Sequence, residues 1–301
     1  MSWFFIALVG YFFLALTFIL DKLILTKSVG KPVVYTFYST IFMFGAFFAW
    51  PFGVELLNGF DWIWAMVSGV AFGLGLWALY TAVKRGETSH INPFNGAMVS
   101  IATYALSAYF LGERLTSLQV GGIVILVGAS LLLSFEKSRN HNGFHMGFVW
   151  AGVSGVLFAL SHVSAKYLYD VYPFLTGFVW TRAMTGLVGL LVLLFPSVRK
   201  TFRKKYEKPK TNAKRHAGII VVLTKIFGVI AVVLIQYASA IGSVSLVMAM
   251  SGLQYACMFV IILLCTKFIP RVFKEYITKR ELVVEWLAIV LVGLGSILFV
   301  L

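Results

Sequence analysis

What most constrains this chain is a succession of apolar runs of roughly 20 residues, each ended by charged punctuation, repeated along the whole sequence. A helix of that length crosses the hydrocarbon of a bilayer. Ten such runs are read, at 3–25, 33–52, 62–83, 89–110, 116–135, 144–167, 173–195, 216–240, 243–266 and 283–301. They do not alternate apolar and polar residues as barrel strands do, so the expected class is all-α, a polytopic membrane protein of ten transmembrane helices. Composition agrees: 60% of the 301 residues are hydrophobic and only 12% charged. The first run starts at Trp3 without a basic leader and ends at Asp21-Lys22 without a small-residue cleavage site, so it reads as a retained span.

The net charge of +14 would suggest a nucleic-acid partner in a soluble chain. Its distribution argues against one. Twenty-one of the 25 Lys and Arg fall in or beside the gaps after the odd-numbered runs, whereas only Arg114 and Lys166 lie at the opposite side and Arg182 and Lys225 lie inside runs. By the positive-inside rule those basic gaps face the cytoplasm, which places both termini outside a multi-pass protein of the cell membrane. Residues 196–215 read as a solvated basic loop, and 267–285 as a short amphipathic helix lying at the interface.

The chain also repeats itself. Ala15-Leu16-Thr17 with Lys22 matches Ala159-Leu160-Ser161 with Lys166 at a constant offset of 144, and Tyr80, Gly86 and Ser89 correspond to Tyr237, Gly242 and Ser245 with one residue deleted. Two units, 1–137 and 138–301, of five helices each follow from this. Because five is odd, the second unit enters the membrane from the other side, giving inverted repeats, an arrangement of transporters whose substrate path lies at the repeat interface.

Gly112-Glu113-Arg114-Leu115-Thr116, followed by Gly121-Gly122 and Gly128 and preceded by a span opening Ser89-His90-Ile91-Asn92-Pro93, resembles the end of the repeat unit in the EamA-like branch of the drug/metabolite transporter superfamily. Two five-helix units resemble that family as well. The Gly-Glu pair is absent from the second unit, where the basic segment from Lys267 to Glu285 takes its place. The resemblance implies a secondary transporter that exports or exchanges small polar metabolites such as amino acids or organic anions. Its usual placement of both termini in the cytoplasm differs from the placement expected from the charges.

Ionisable residues at mid-membrane depth carry the most information, since a charge there costs about 2.5–3.5 kcal/mol on insertion scales. Arg182 and Lys225 are such residues, and all 11 Asp and Glu fall at span ends or in loops. The two cations either hold an anionic group in a central cavity, or snorkel to water and donate to helix carbonyls. Asn95 in the fourth span is a further candidate ligand, with an interhelical hydrogen bond as the alternative. Tyr80, Tyr237, Gln254, Trp77 and Trp180 offer polar-tipped or aromatic surfaces to a metabolite. Lys22 and Lys166, matched ends of spans 1 and 6, are candidate gating residues or plain interfacial anchors. His162 is expected as a neutral histidine bonded to a neighbouring helix. Gly69, Gly73, Gly121, Gly122 and Gly128 are expected to allow close helix contacts.

No catalytic constellation, metal-ligand cluster, cofactor motif or Walker lysine is visible in the sequence, so a non-enzymatic chain without cofactor or nucleic-acid partner is expected, functional as a monomer among membrane lipids. A carrier of phosphorylated or lipid-linked substrates is the alternative within transport. A membrane scaffold is the alternative outside it, and it would tolerate loss of Arg182 and Lys225.

Overall fold

The computed structural model describes residues 2–25, 31–86, 88–135, 145–203, 213–268 and 279–301, with side chains over 2–20, 31–86, 90–135, 145–200, 223–264 and 282–301. Every regular element in them is helical. In chain order they are α1 (Ser2–Leu25), α2 (Pro32–Ile41) continued by a 3-10 segment (Phe42–Phe52), α3 (Asp61–Arg85), α4 (Thr88–Phe110), α5 (Ser117–Ser134), α6 (Met146–Val171), α7 (Phe174–Val192), α8 (Pro196–Arg203), α9 (Ala213–Ile241), α10 (Val244–Ala249), α11 (Ser251–Phe268) and α12 (Lys279–Ile297). Eight stretches are long and apolar enough to cross a membrane, counting α2 with its 3-10 continuation as one and α10 with α11 as another. The protein is therefore an all-α polytopic membrane protein.

Local chemistry sets the helix ends. Pro32 opens α2, where its missing N–H has no intrahelical partner to lose. Thr116 and Gln119 close a capping box on α5, each side chain meeting the other's backbone N–H. Ser243 caps α10 by accepting from the Leu246 N–H. Two spans depart from the expected continuous helix: the second tightens into the 3-10 segment, which contains Pro51 and ends at Gly53 with φ +91°, and the ninth breaks at Met250. The first part of the expected basic loop is helical, as α8. The stretch expected as an interfacial helix lies largely outside the described residues.

In lipid, helices associate through close packing and hydrogen bonds rather than through hydrophobic expulsion from water. The main packed pairs are α3 with α6, α1 with α9, α4 with α6, α5 with α12, and α7 with both α3 and α2. At Gly69 the backbone of α3 meets α7 so closely that an added Cβ would stand 2.5 Å from the Thr185 nitrogen. Gly122 likewise lies against the Gly295 carbonyl of α12, whereas Gly121 and Gly128 face open space. Hydroxyls fasten the same seams. Ser68 donates to the Ser161 carbonyl at 2.9 Å and Ser154 to the Gly75 carbonyl at 2.9 Å, both between α3 and α6.

Candidate functional site

Arg182, in the middle of α7, is only 3% exposed. It lies there because α7 presents glycine and threonine to its neighbours along most of its length, including buried Gly177, Thr181, Thr185, Gly186 and Gly189, so one long side chain fits between helices. The guanidinium stands 4.7 Å from the Phe72 ring centroid and 5.5 Å from that of Phe178, placing the cation over aromatic faces. Its Nε and Nη1 have no hydrogen-bond partner. Such an unmet donor pair in a dry interior is costly unless a ligand or water meets it.

A relay of polar side chains runs beside it. The Tyr169 hydroxyl, which interacts with the guanidinium, donates to Gln236 Oε1 at 3.0 Å, and Gln236 Nε2 donates to His162 Nδ1 at 3.1 Å. With Nδ1 accepting, the neutral imidazole carries its proton on Nε2. The His162 ring in turn meets the Phe72 ring edge to face, at 6.3 Å between centroids. The cluster thus joins α3, α6, α7 and α9 and contains a cation, two phenyl rings and a directed hydrogen-bond chain. No carboxylate lies within ion-pair reach of Arg182 among the described residues.

The other expected ligands lie elsewhere. Lys225 is exposed, and it precedes Gln236 on α9 by eleven residues, or about 16 Å of helix rise, so it stands well away from Arg182 along the helix. Asn95 is buried and donates to the Ala151 carbonyl at 2.9 Å, an interhelical bond from α4 to α6. Tyr80 bonds Ser39 at 2.7 Å, and Trp77 meets Phe195 edge on. Tyr237 is 40% exposed against Phe174, and Gln254 is buried in α11. Tyr80 and Tyr237, matched in sequence, belong to separate contacts. The sequence signalled Arg182 and the His162 bond. It gave no signal for Tyr169, Gln236, Phe72 or Phe178.

At the end of the bundle away from the basic gaps, the chain is tied across by side chains of which the sequence reading singles out Lys166 and Trp180 but not Asp61, Tyr167, Tyr172 or Thr176. Asp61, first residue of α3, accepts from the hydroxyls of Tyr167 at 3.1 Å and Tyr172 at 2.6 Å. That carboxylate holds the Tyr172 hydroxyl above its usual pKa. Nearby, the Glu55 N–H donates to Thr176 Oγ1 at 3.1 Å, the Asn58 N–H to the Tyr172 oxygen at 2.9 Å, and Trp180 Nε1 to the Glu55 carbonyl at 2.8 Å. Lys166 pairs with Asp170 at 2.8 Å and donates to the Ala240 carbonyl at 3.0 Å, which caps the end of α9. The side chain of Lys22, its sequence counterpart, lies outside the described residues. At the same end a cavity of about 420 Å³ is lined by residues including Trp3, Glu113, Arg114, Ser243 and Phe299.

Residues 1–135 match the EamA-like transporter family. No curated protein matches the chain. A solved structure described only as "Crystal structure of protein" is similar over 99% of this chain and 94% of that one, with a TM-score of 0.66 at 16% sequence identity. At that identity the likeness is one of fold alone. Among the described residues no group of three His, Cys, Asp or Glu side chains could hold a metal ion.

Proposed function

We propose that the protein is a secondary transporter of the EamA-like kind, moving small polar metabolites with an anionic group by alternating access. The observation that carries this reading is Arg182, a nearly fully buried guanidinium at mid-span with two unmet donors and no acidic partner among the described residues. A purely structural arginine would normally have its donors satisfied. The match of the first 135 residues to a transporter family supports the same reading.

The ten-helix, twofold inverted reading draws support from the packing. If α1 corresponds to α6 and α3 to α9, the α1–α9 and α3–α6 pairs are counterparts, and α5–α12 is its own counterpart. The relation is not carried through evenly: α3 packs closely on α7, while no comparable α9–α2 contact occurs among the described residues. Inequivalent contacts in equivalent units are what a transporter caught in one of its two states would have. The protein acts as a monomer without cofactor, its termini outside the cytoplasm.

The test is flux. Purified protein is reconstituted in liposomes and assayed for counterflow of labelled organic anions and amino acids, beside Arg182→Gln checked for intact folding. Uptake that depends on Arg182 is expected. A folded protein with no flux for any anionic or zwitterionic metabolite would remove the reading.

A further inference from the structure

We infer that the Arg182 site selects a monoanionic carboxylate with a flat or apolar body and no ammonium group. This inference rests on the transport reading and narrows its substrate class, from metabolites in general to organic acids as distinct from amino acids.

Charge balance comes first. The cluster holds one permanent cation and, among the described residues, no carboxylate within reach of it. In a low-dielectric interior one negative charge neutralises the site, whereas a dianion would leave an uncompensated charge buried. An α-amino acid brings both signs. Its ammonium would stand beside the guanidinium with no carboxylate near, among the described residues, to balance it.

The direction of the relay points the same way. Tyr169 gives its proton to Gln236, and Gln236 gives an N–H to His162, so the proton of the histidine rests on Nε2. The unmet capacity in the cluster is therefore donor capacity, Arg182 Nε and Nη1. A carboxylate is an acceptor only, and it suits such a set.

The walls specify the remainder of the ligand. Phe72 and Phe178 stand over the guanidinium, and Phe72 packs on Phe158 with 5.3 Å between ring centroids. A planar or aliphatic body packs against such rings, while a polyhydroxylated one would lose its hydration without replacement.

The experiment uses the detergent-purified full chain and four probes: phenylacetate, phenylalanine, phenethylamine and phenyl phosphate. Thermal shift is measured against concentration, since a ligand of the folded state raises the midpoint by mass action. Phenylacetate is expected to stabilise the protein in the millimolar range or below, with the other three at least about tenfold weaker, a difference of about 1.4 kcal/mol. Arg182→Gln should lose the phenylacetate shift and Arg182→Lys should keep part of it, each variant first shown monodisperse and helical. Phenylalanine or phenyl phosphate binding as well as phenylacetate would overturn the inference, as would the absence of any phenylacetate shift, or a shift unchanged in Arg182→Gln. Flux separates the two readings. Arg182-dependent transport of phenylalanine would keep the transporter and discard the selectivity, whereas Arg182-dependent phenylacetate binding without transport of any probe would do the reverse.

Discussion

The guanidinium of Arg182 on α7 lies 4.7 Å from the ring of Phe72 on α3, so the buried cation of one helix rests on an aromatic face supplied by another. The contact offsets only part of what burial costs a full charge. Replacing the cation by an apolar side chain of similar length should therefore stabilise the empty protein. Arg182→Met is expected to raise the midpoint of thermal unfolding, corresponding to a gain of about 1–3 kcal/mol, while abolishing stabilisation by an anionic ligand. Thermal unfolding in detergent with and without ligand checks it. A lower midpoint would show that the arginine is held by interactions within the fold and would argue against a ligand role.

Gly69 brings the two helices of that contact together. An added Cβ would meet Met184 and stand 2.5 Å from the Thr185 nitrogen, which is backbone and cannot turn aside. Gly69→Ala should push α3 from α7 at a cost of about 1–3 kcal/mol and weaken ligand binding with it. Gly121→Ala, where nothing lies within 4 Å, should leave the unfolding midpoint within a degree or so of the parent.

Asp61 ties α3 to the end of α6 through two tyrosine hydroxyls. Asp61→Ala removes both bonds and Tyr167→Phe removes one, so closure at that end should loosen in the order Asp61→Ala, Tyr167→Phe, parent. A cysteine placed at the buried Thr176, in a background lacking Cys257 and Cys265, reports this as faster modification by a membrane-impermeant thiol reagent. Equal rates in all three would show that the ties do not hold the end closed.

Tyr11 of α1 donates to the Val247 carbonyl at 2.8 Å, beside the break between α10 and α11. Tyr11→Phe keeps the ring and removes the bond, leaving the Val247 carbonyl with only the Met250 N–H at 3.2 Å. A loss of about 0.5–1.5 kcal/mol is expected. It should appear in thermal unfolding, with little change in phenylacetate affinity.

Depth was readable from the sequence and direction was not. The interior of α7 is apolar enough to fix Arg182 in mid-membrane, and its burial followed. Lys225 sits among equally apolar residues, yet it is exposed, because a helix apolar all round carries no periodic signal of which face turns inward. The same reason separates Gly122, pressed on α12, from Gly121 beside it. Phe178 lies one turn before Arg182 on α7 itself, but Phe72 comes from α3 and Tyr169 from α6, and an interhelical contact leaves no spacing for a single chain to display. The break at Met250 was hidden too, since no proline marks it and Gly252 follows within an otherwise apolar run.

That break has its own consequence. A helix interrupted within lipid must find partners for the carbonyls it frees. Here the Val247 and Met248 carbonyls receive hydroxyls from Tyr11 on α1 and Ser100 on α4. The interruption of this span is thus met by side-chain hydroxyls from two other helices. A break inside one span thereby ties α1, α4 and the α10–α11 segment together through two side-chain oxygens.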